Sequence, residues 1–260
     1  MVIKNIFFDL DDTLFPTAQF AELARKNAIR SMIQHGLKAD FDYAYKKLIE
    51  IIKLKGSNYN QHFNLLCKYF NKKIDYEIIA SGLISYHNAK NTILPFANTY
   101  STLLTLKEHS YKLFIATNGN PIKQWEKVLR LNIDTYFDAV FISEEVGMLK
   151  SAVFFKKILK RTKTNAAESV MIGNNLDIDV YPALGAGMKA ILVDHYDRFE
   201  GLKNLCSYKA GVYFCSVSKK QLYEMGFCSS RTHEKCKNKD FLIINNLEKV
   251  VGAIKALGGI

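Results

Sequence analysis

The hydrophobic pattern changes period twice along the chain. Residues Val2–Phe8 form a short, nearly continuous apolar run rich in β-branched and aromatic side chains. Such a run predicts a strand buried on both faces. It stops at an acidic turn, Asp9–Thr13. From residue 17 to about 92 the apolar positions recur at helical spacing: Leu23, Ile29, Met32 and Ile33, then Leu48, Ile51 and Ile52, then Phe63, Leu65, Leu66 and Tyr69. Gly36, the Gly56-Ser57-Asn58 stretch and Asn71 break the pattern. No strand is expected here, and the segment 16–92 reads as an all-helical insertion of roughly four helices, long enough for a small domain.

Beyond it, short apolar runs alternate with helical patterns. Strands are predicted at Lys112–Ala116, Ala139–Ile142, Val170–Ile172, Ala190–Val193 and Phe241–Ile244. Helices are predicted at Tyr100–Lys107, from Pro121 to about Leu131, and at Ala152–Leu159, Ile178–Leu184 and Leu247–Leu257. This alternation predicts an α/β fold: a doubly wound parallel-sheet, Rossmann-like core at 1–15 and 93–260, interrupted by the helical insertion. Residues 195–240 fit neither period. They are polar and basic, hold four of the five Cys, and read as an insertion within the core, with Val212–Val217 a candidate extra strand.

Composition narrows the function classes. Hydrophobic residues make up 48% of the 260, and only 4 are Pro, so compact structure is expected nearly throughout. The net charge of +11 raises the local concentration of anionic ligands. The basic residues are spread out, and no Lys/Arg block alternates with aromatics, so nucleic-acid binding is not expected. No window approaches ~18 uninterrupted apolar residues, so no membrane span is expected. The N-terminal stretch does not read as a signal peptide. With an odd number of Cys, this predicts reduced thiols and a cytoplasmic protein.

Three predicted strands deliver polar groups at their C-terminal ends, the edge where open parallel sheets bind ligands. The first delivers Asp9, Asp11, Asp12 and Thr13, the second Thr117, Asn118 and Gly119, and a later one Gly173, Asn174 and Asn175, with Asp177 and Asp179 beyond. Asp9 and Asp11 project to the same side if the chain is extended. Two carboxylates in one small site repel unless a cation sits between them or one takes a proton. A divalent oxygen-loving ion such as Mg²⁺ serves the first solution, and a proton-shuttling acid the second. A plain capping turn is the competing reading.

At these motifs the sequence resembles a known family. IFFDLDDTL, LFIATNG, SEEVGMLK and VMIGNNLDIDVYPALGAGM are similar, in order, to the four motifs of the haloacid dehalogenase superfamily, and GNPIKQWEKVLRL to an archaeal-type branch of its phosphatases. The resemblance implies a magnesium-dependent phosphatase acting on a small phosphorylated metabolite. Asp9 would be the nucleophile that forms an aspartyl-phosphate, and Asp11 the acid and then the base. Thr117, with the amides near Asn118 and Gly119, would hold the phosphoryl oxygens, and Lys150 would neutralise charge. Mg²⁺ would be held by Asp9, the Asp11 carbonyl, Asn174 and Asp179. The helical insertion resembles the family's cap, which closes over the site and contacts substrate; Phe15, Phe20, Tyr43, Tyr45, Tyr59, His62 and Phe63 are candidates.

Two departures stand out. Asn174 occupies the position of a metal-ligand Asp, with Asp177 or Asp179 as possible compensation. Ser151 follows Lys150 where the family has Pro, so the Lys150 loop is expected to sit differently. Alternatives follow: a catalytically weakened binding or regulatory protein, or a 2-haloacid dehalogenase, which Asp11 argues against. Cys206, Cys215, Cys228 and Cys236 with His195 and His233 are a weak zinc candidate, since no CxxC occurs; scattered free thiols are the expectation.

Overall fold

The computed structural model describes residues 2–227 and 239–258. The chain divides into two compact units, residues 17–94 and residues 1–16 with 95–260. In the first unit lie α1 (Thr17–Gln34), α2 (Phe41–Lys55), α3 (His62–Asn71) and α4 (Tyr76–Ala89). Its core is formed by Ala28, Ile29, Met32, Leu48, Leu66, Ile78 and Ile79, all from these helices. Asp40 and Asp75 start α2 and α4 by accepting hydrogen bonds from first-turn amides, the role short acidic side chains favour.

The second unit holds β1 (Asn5–Phe8), β2 (Lys112–Thr117), β3 (Ala139–Ile142), β4 (Ser169–Gly173), β5 (Lys189–Val193), β6 (Ser207–Lys209), β7 (Val212–Val217) and β8 (Lys239–Ile244). Its helices are α5 (Thr99–Glu108), α6 (Pro121–Arg130), α7 (Ser143–Val146), α8 (Ala152–Thr162), α9 (Tyr181–Gly185), α10 (Glu200–Lys203), α11 (Lys219–Glu224) and α12 (Val250–Ala256). The sheet order is β3-β2-β1-β4-β5-β8-β7-β6. β1 is buried along its whole length, with parallel partners β2 and β4 on either side. Phe7 stacks on Phe114 at 4.7 Å and joins Met171, Phe154, Phe155 and Ile158 in one core. Burying each such side chain stabilises by about 1.5–3 kcal/mol, so β1 is held firmly and Asp9, the next residue, inherits its position. The chain leaves β1 for β2 and β3 on one side and returns to β4 on the other, and ligands bind at such a switch point.

The sheet departs from the expected parallel plan at one edge. β7 runs antiparallel to β8, and β6 antiparallel to β7. For β6 and β7 the cause is local: Ala210 and Gly211 both take positive φ, 51° and 82°, in a two-residue turn. Such turns close hairpins, and a parallel partner needs a far longer crossover. The hairpin also corrects the expectation of free thiols. Ser207 pairs with Phe214, which sets the neighbouring Cys206 opposite Cys215 with Cα atoms 4.5 Å apart, and the two form a disulfide. Cys67 is a buried free thiol. Cys228, His233 and Cys236 lie outside the described residues. Among the described residues no group of three His, Cys, Asp or Glu could hold a metal, so the zinc candidate has no support there. The helix expected at Ile178–Leu184 is present, with a π-helical first turn, Leu176–Val180, running into α9. No described helix is long and apolar enough to cross a membrane.

Candidate active site

The C-terminal ends of β1 and β4 bring together three buried charged side chains. Lys150 Nζ donates to Asp9 Oδ1 at 2.7 Å and to Asp179 Oδ1 at 2.5 Å. Asp179 Oδ2 accepts from the Asn175 amide at 3.1 Å. Gly173 permits this packing: a Cβ there would overlap the Asp179 side chain. Both oxygens of Asp179 are therefore engaged, Oδ1 by the Lys150 ammonium and Oδ2 by the Asn175 amide. Ser151 starts the helix that follows Lys150. Its hydroxyl caps α8 by accepting from the Phe154 amide at 3.2 Å, and Asn118 Oδ1 holds the Lys150 amide at 2.9 Å.

Asp11 is held separately. The chain turns tightly after Leu10, with the amides of Leu14 and Phe15 donating to the Leu10 carbonyl and Asp12 at φ 56°. Asp11 Oδ1 accepts from Lys127 Nζ at 2.5 Å, and Oδ2 from Gln124 Nε2 at 2.9 Å. Gln124 and Lys127 were not singled out in the sequence. One signal was present: Gln124, Val128 and Leu131 share one helical face, and all three are buried. A polar residue in such a row needs partners. Asp9 and Asp11 are thus each paired with a lysine, on different elements.

Thr117 is buried, and its Oγ1 accepts from Gln124 Nε2 at 2.9 Å. The Gly119 amide donates to Ser143 Oγ at 3.0 Å, so it is engaged elsewhere than with the expected phosphoryl oxygens. Asn174 is half-buried, its carbonyl accepts from Arg198 Nη2 at 3.0 Å, and its side-chain amide has no hydrogen-bond partner among the described residues. The cap of the following turn is Asn175, whose Oδ1 accepts from the amides of Asp177 and Ile178. Of the aromatic candidates in residues 17–94, Phe63 belongs to that unit's core, Tyr43 bonds the Tyr69 hydroxyl at 2.6 Å, and His62 bonds the Gly56 carbonyl at 3.0 Å. These contacts are internal to the helices.

Burial pushes the Asp9 carboxyl up to about 7; Lys150 pulls it back, while Asp179 and Asp11 push it further up. For Lys150, burial lowers the ammonium's affinity for its proton, but Asp179 and Asp9 outweigh burial and hold it above its ordinary value. Three carboxylates (Asp9, Asp11, Asp179) and two ammonium groups (Lys150, Lys127) meet here, and the Arg198 guanidinium lies on the Asn174 carbonyl.

A parallel sheet that carries an aspartate at its switch point, beside a buried lysine and a second aspartate two residues on, defines a Rossmann-like hydrolase. The chain belongs to the haloacid dehalogenase-like hydrolase family, which it matches over residues 6–193. It is 48% identical over 195 residues, 74% of this chain and 86% of the relative, to a glyceraldehyde 3-phosphate phosphatase of Methanothermobacter thermautotrophicus. It is 47% identical over 191 residues, 73% of this chain and 80% of the relative, to the Pyrococcus furiosus protein of the same name. The fold is similar to that of a HAD phosphatase from Thermococcus onnurineus, with TM-score 0.61 and 22% identity over 99% of each chain. The protein is accordingly a phosphoric monoester hydrolase.

Proposed function

We propose that this enzyme hydrolyses glyceraldehyde 3-phosphate, with Asp9 as nucleophile and Asp11 as acid and base. The observation that carries the assignment is the pinning of Asp9 Oδ1 by Lys150. It leaves Oδ2 as the attacking oxygen, with the ammonium beside it to neutralise charge gathering on the phosphoryl group. In the first step Asp9 Oδ2 bonds to phosphorus, the ester P–O bond breaks, and the protonated Asp11 gives its proton to the departing alkoxide. In the second, ionised Asp11 takes a proton from water, the water oxygen bonds to phosphorus, and the P–O bond to Asp9 breaks. Inorganic phosphate leaves, and Asp9 is restored. Thr117 Oγ1 and the Asn118 amide orient the phosphoryl oxygens. The substrate follows the relatives' activity, and a small three-carbon ester suits a site whose chemistry lies at a single phosphate.

The oxygen donors at the site suit Mg²⁺, which binds through one or two carboxylates and substrate phosphate oxygens. Asp9, the Asp11 carbonyl and the Asn174 amide oxygen are the groups that would hold it. Of these, Asp9 alone brings an acidic side chain, and among the described residues no group of three His, Cys, Asp or Glu is placed to hold a metal. The ion would supply positive charge to the phosphoryl oxygens. Phosphate release from glyceraldehyde 3-phosphate by the purified protein with Mg²⁺, against ribulose 1,5-bisphosphate and a pyrimidine nucleotide as competitors, tests the substrate. The first is expected to have the highest kcat/KM, and a preference for either competitor overturns the substrate assignment.

Asn174 makes a separate prediction. Its amide brings no charge, and the Arg198 guanidinium lies on its carbonyl. Asn174→Asp is expected to lower the half-saturating Mg²⁺ about tenfold, or ~1.4 kcal/mol, because site affinity follows ligand charge. A Mg²⁺ titration of activity checks this, and an unchanged midpoint removes Asn174 from the ligand set.

A further inference from the structure

We propose that Gln124 and Lys127 are positioning residues for proton transfer, clamping Asp11 beside Thr117 with one donor on each carboxylate oxygen. The proposal rests on the reading of Asp11 as the acid–base group. Gln124 and Lys127 stand three residues apart on α6, a spacing that puts both side chains on one side of the helix. Lys127 Nζ lies 2.5 Å from Oδ1, the short contact of a charge-assisted hydrogen bond, and Gln124 Nε2 lies 2.9 Å from Oδ2. With both oxygens held, neither torsion of the Asp11 side chain is free to turn.

Gln124 also joins Asp11 to the loop after β2. The same Nε2 lies 2.9 Å from Thr117 Oγ1 and 2.6 Å from the Asn118 carbonyl. Two hydrogens serve three acceptors, so the nitrogen ties the phosphate-binding threonine and the acid–base aspartate into one unit. A stability role does not explain the residue. Gln124 is 2% exposed, in a row with Val128 and Leu131, and its Oε1 is buried without a partner among the described residues. The amide oxygen gains nothing from its burial, while the amide nitrogen beside it serves Asp11, Thr117 and the Asn118 carbonyl. The residue is explained by what its nitrogen holds.

The expected consequence depends on the leaving group. Displacing a proton-transfer group by about 1 Å costs on the order of 10²-fold, but only where the departing oxygen needs the proton. Phenyl phosphate and p-nitrophenyl phosphate are similar in size; phenolate is a much stronger base than nitrophenolate. The test measures kcat/KM, which reports the first phosphoryl transfer, for Lys127→Met, Gln124→Met and Lys127→Arg on both esters, with thermal unfolding run beside it. Lys127→Met and Gln124→Met are expected to lose about ten- to a hundredfold on phenyl phosphate and only a few-fold on p-nitrophenyl phosphate. Lys127→Arg, which keeps the charge and the donor, is expected to recover most of the loss. A folded Lys127→Met protein with equal losses on the two esters overturns the clamp, provided that Asp11→Asn does discriminate between them. Asp11→Asn is expected to stop steady-state turnover of both esters, because Asp11 is also the base of the second step; an Asp11→Asn protein whose first-turnover release of phenol and of nitrophenol falls by the same factor overturns the acid–base reading and the clamp with it. If Lys127→Met fails to fold, Gln124→Met decides by the same ratio.

Discussion

Asp9→Asn is expected to abolish phosphate release, by about 10⁴-fold or more, in a protein that remains fully folded. The carboxamide oxygen can still accept from Lys150, so the buried contact at 2.7 Å has a replacement of nearly the same shape. It cannot form an acyl phosphate, because an amide lacks the anionic oxygen that attacks phosphorus. Stability is expected to hold or rise. Asp9 is buried, and its carboxyl is pushed up to about 7 first by that burial, so its negative charge is unfavourable where it sits. Phosphate release and urea unfolding are measured on the same preparation. A folded Asp9→Asn protein that still turns over would remove Asp9 as the nucleophile.

Lys150→Met is expected to damage both stability and catalysis. Lys150 side-chain exposure is 2%, with Asp9 at 8% and Asp179 at 1%. Without the ammonium, two buried carboxylates face each other with no counter-charge. Breaking a buried ion pair by removing one partner costs about 3–5 kcal/mol, most of it from the charge left behind. Activity is expected to fall by about 10²–10³-fold, since the charge beside the phosphoryl group is gone as well. A second variant separates the two effects. In Lys150→Met with Asp179→Leu, one of the stranded charges is replaced by an apolar group, and stability is expected to recover while activity does not. Urea unfolding measures the first and kcat the second. A loss below about 1 kcal/mol in the single variant contradicts the buried ion triad.

Much of the scaffold of the site was legible in the sequence because it is set by local patterning. β1 shows as a continuous apolar run because a strand covered on both faces needs apolar side chains at every position. The helices of residues 17–94 show because one buried stripe recurs every 3.6 residues. Asp9, Thr117 and Gly173 are found where apolar strands stop, since the sheet edge is the first place a polar side chain meets the ligand. The helical start at Pro121 is local for the same reason: proline fits the first turn and Asn120 caps it.

The partners of these residues were not legible. Lys127 lies 116 residues from Asp11, and Lys150 lies 29 from Asp179 and 141 from Asp9. Nothing in the local pattern distinguishes Lys127 from the other lysines of a basic chain, because an ammonium on an amphipathic helix reads as solvated surface until the sheet edge approaches it. The pairing of Cys206 with Cys215 and the antiparallel direction of β6 and β7 likewise depend on one tight turn that brings the strands into register. Asp179 illustrates the limit most plainly. Its spacing from Gly173 shows that it belongs to the site, but only the folded chain decides that both of its oxygens hold Lys150 and the Asn175 amide, because charge neutralisation is settled by whichever donor packing brings within hydrogen-bond reach.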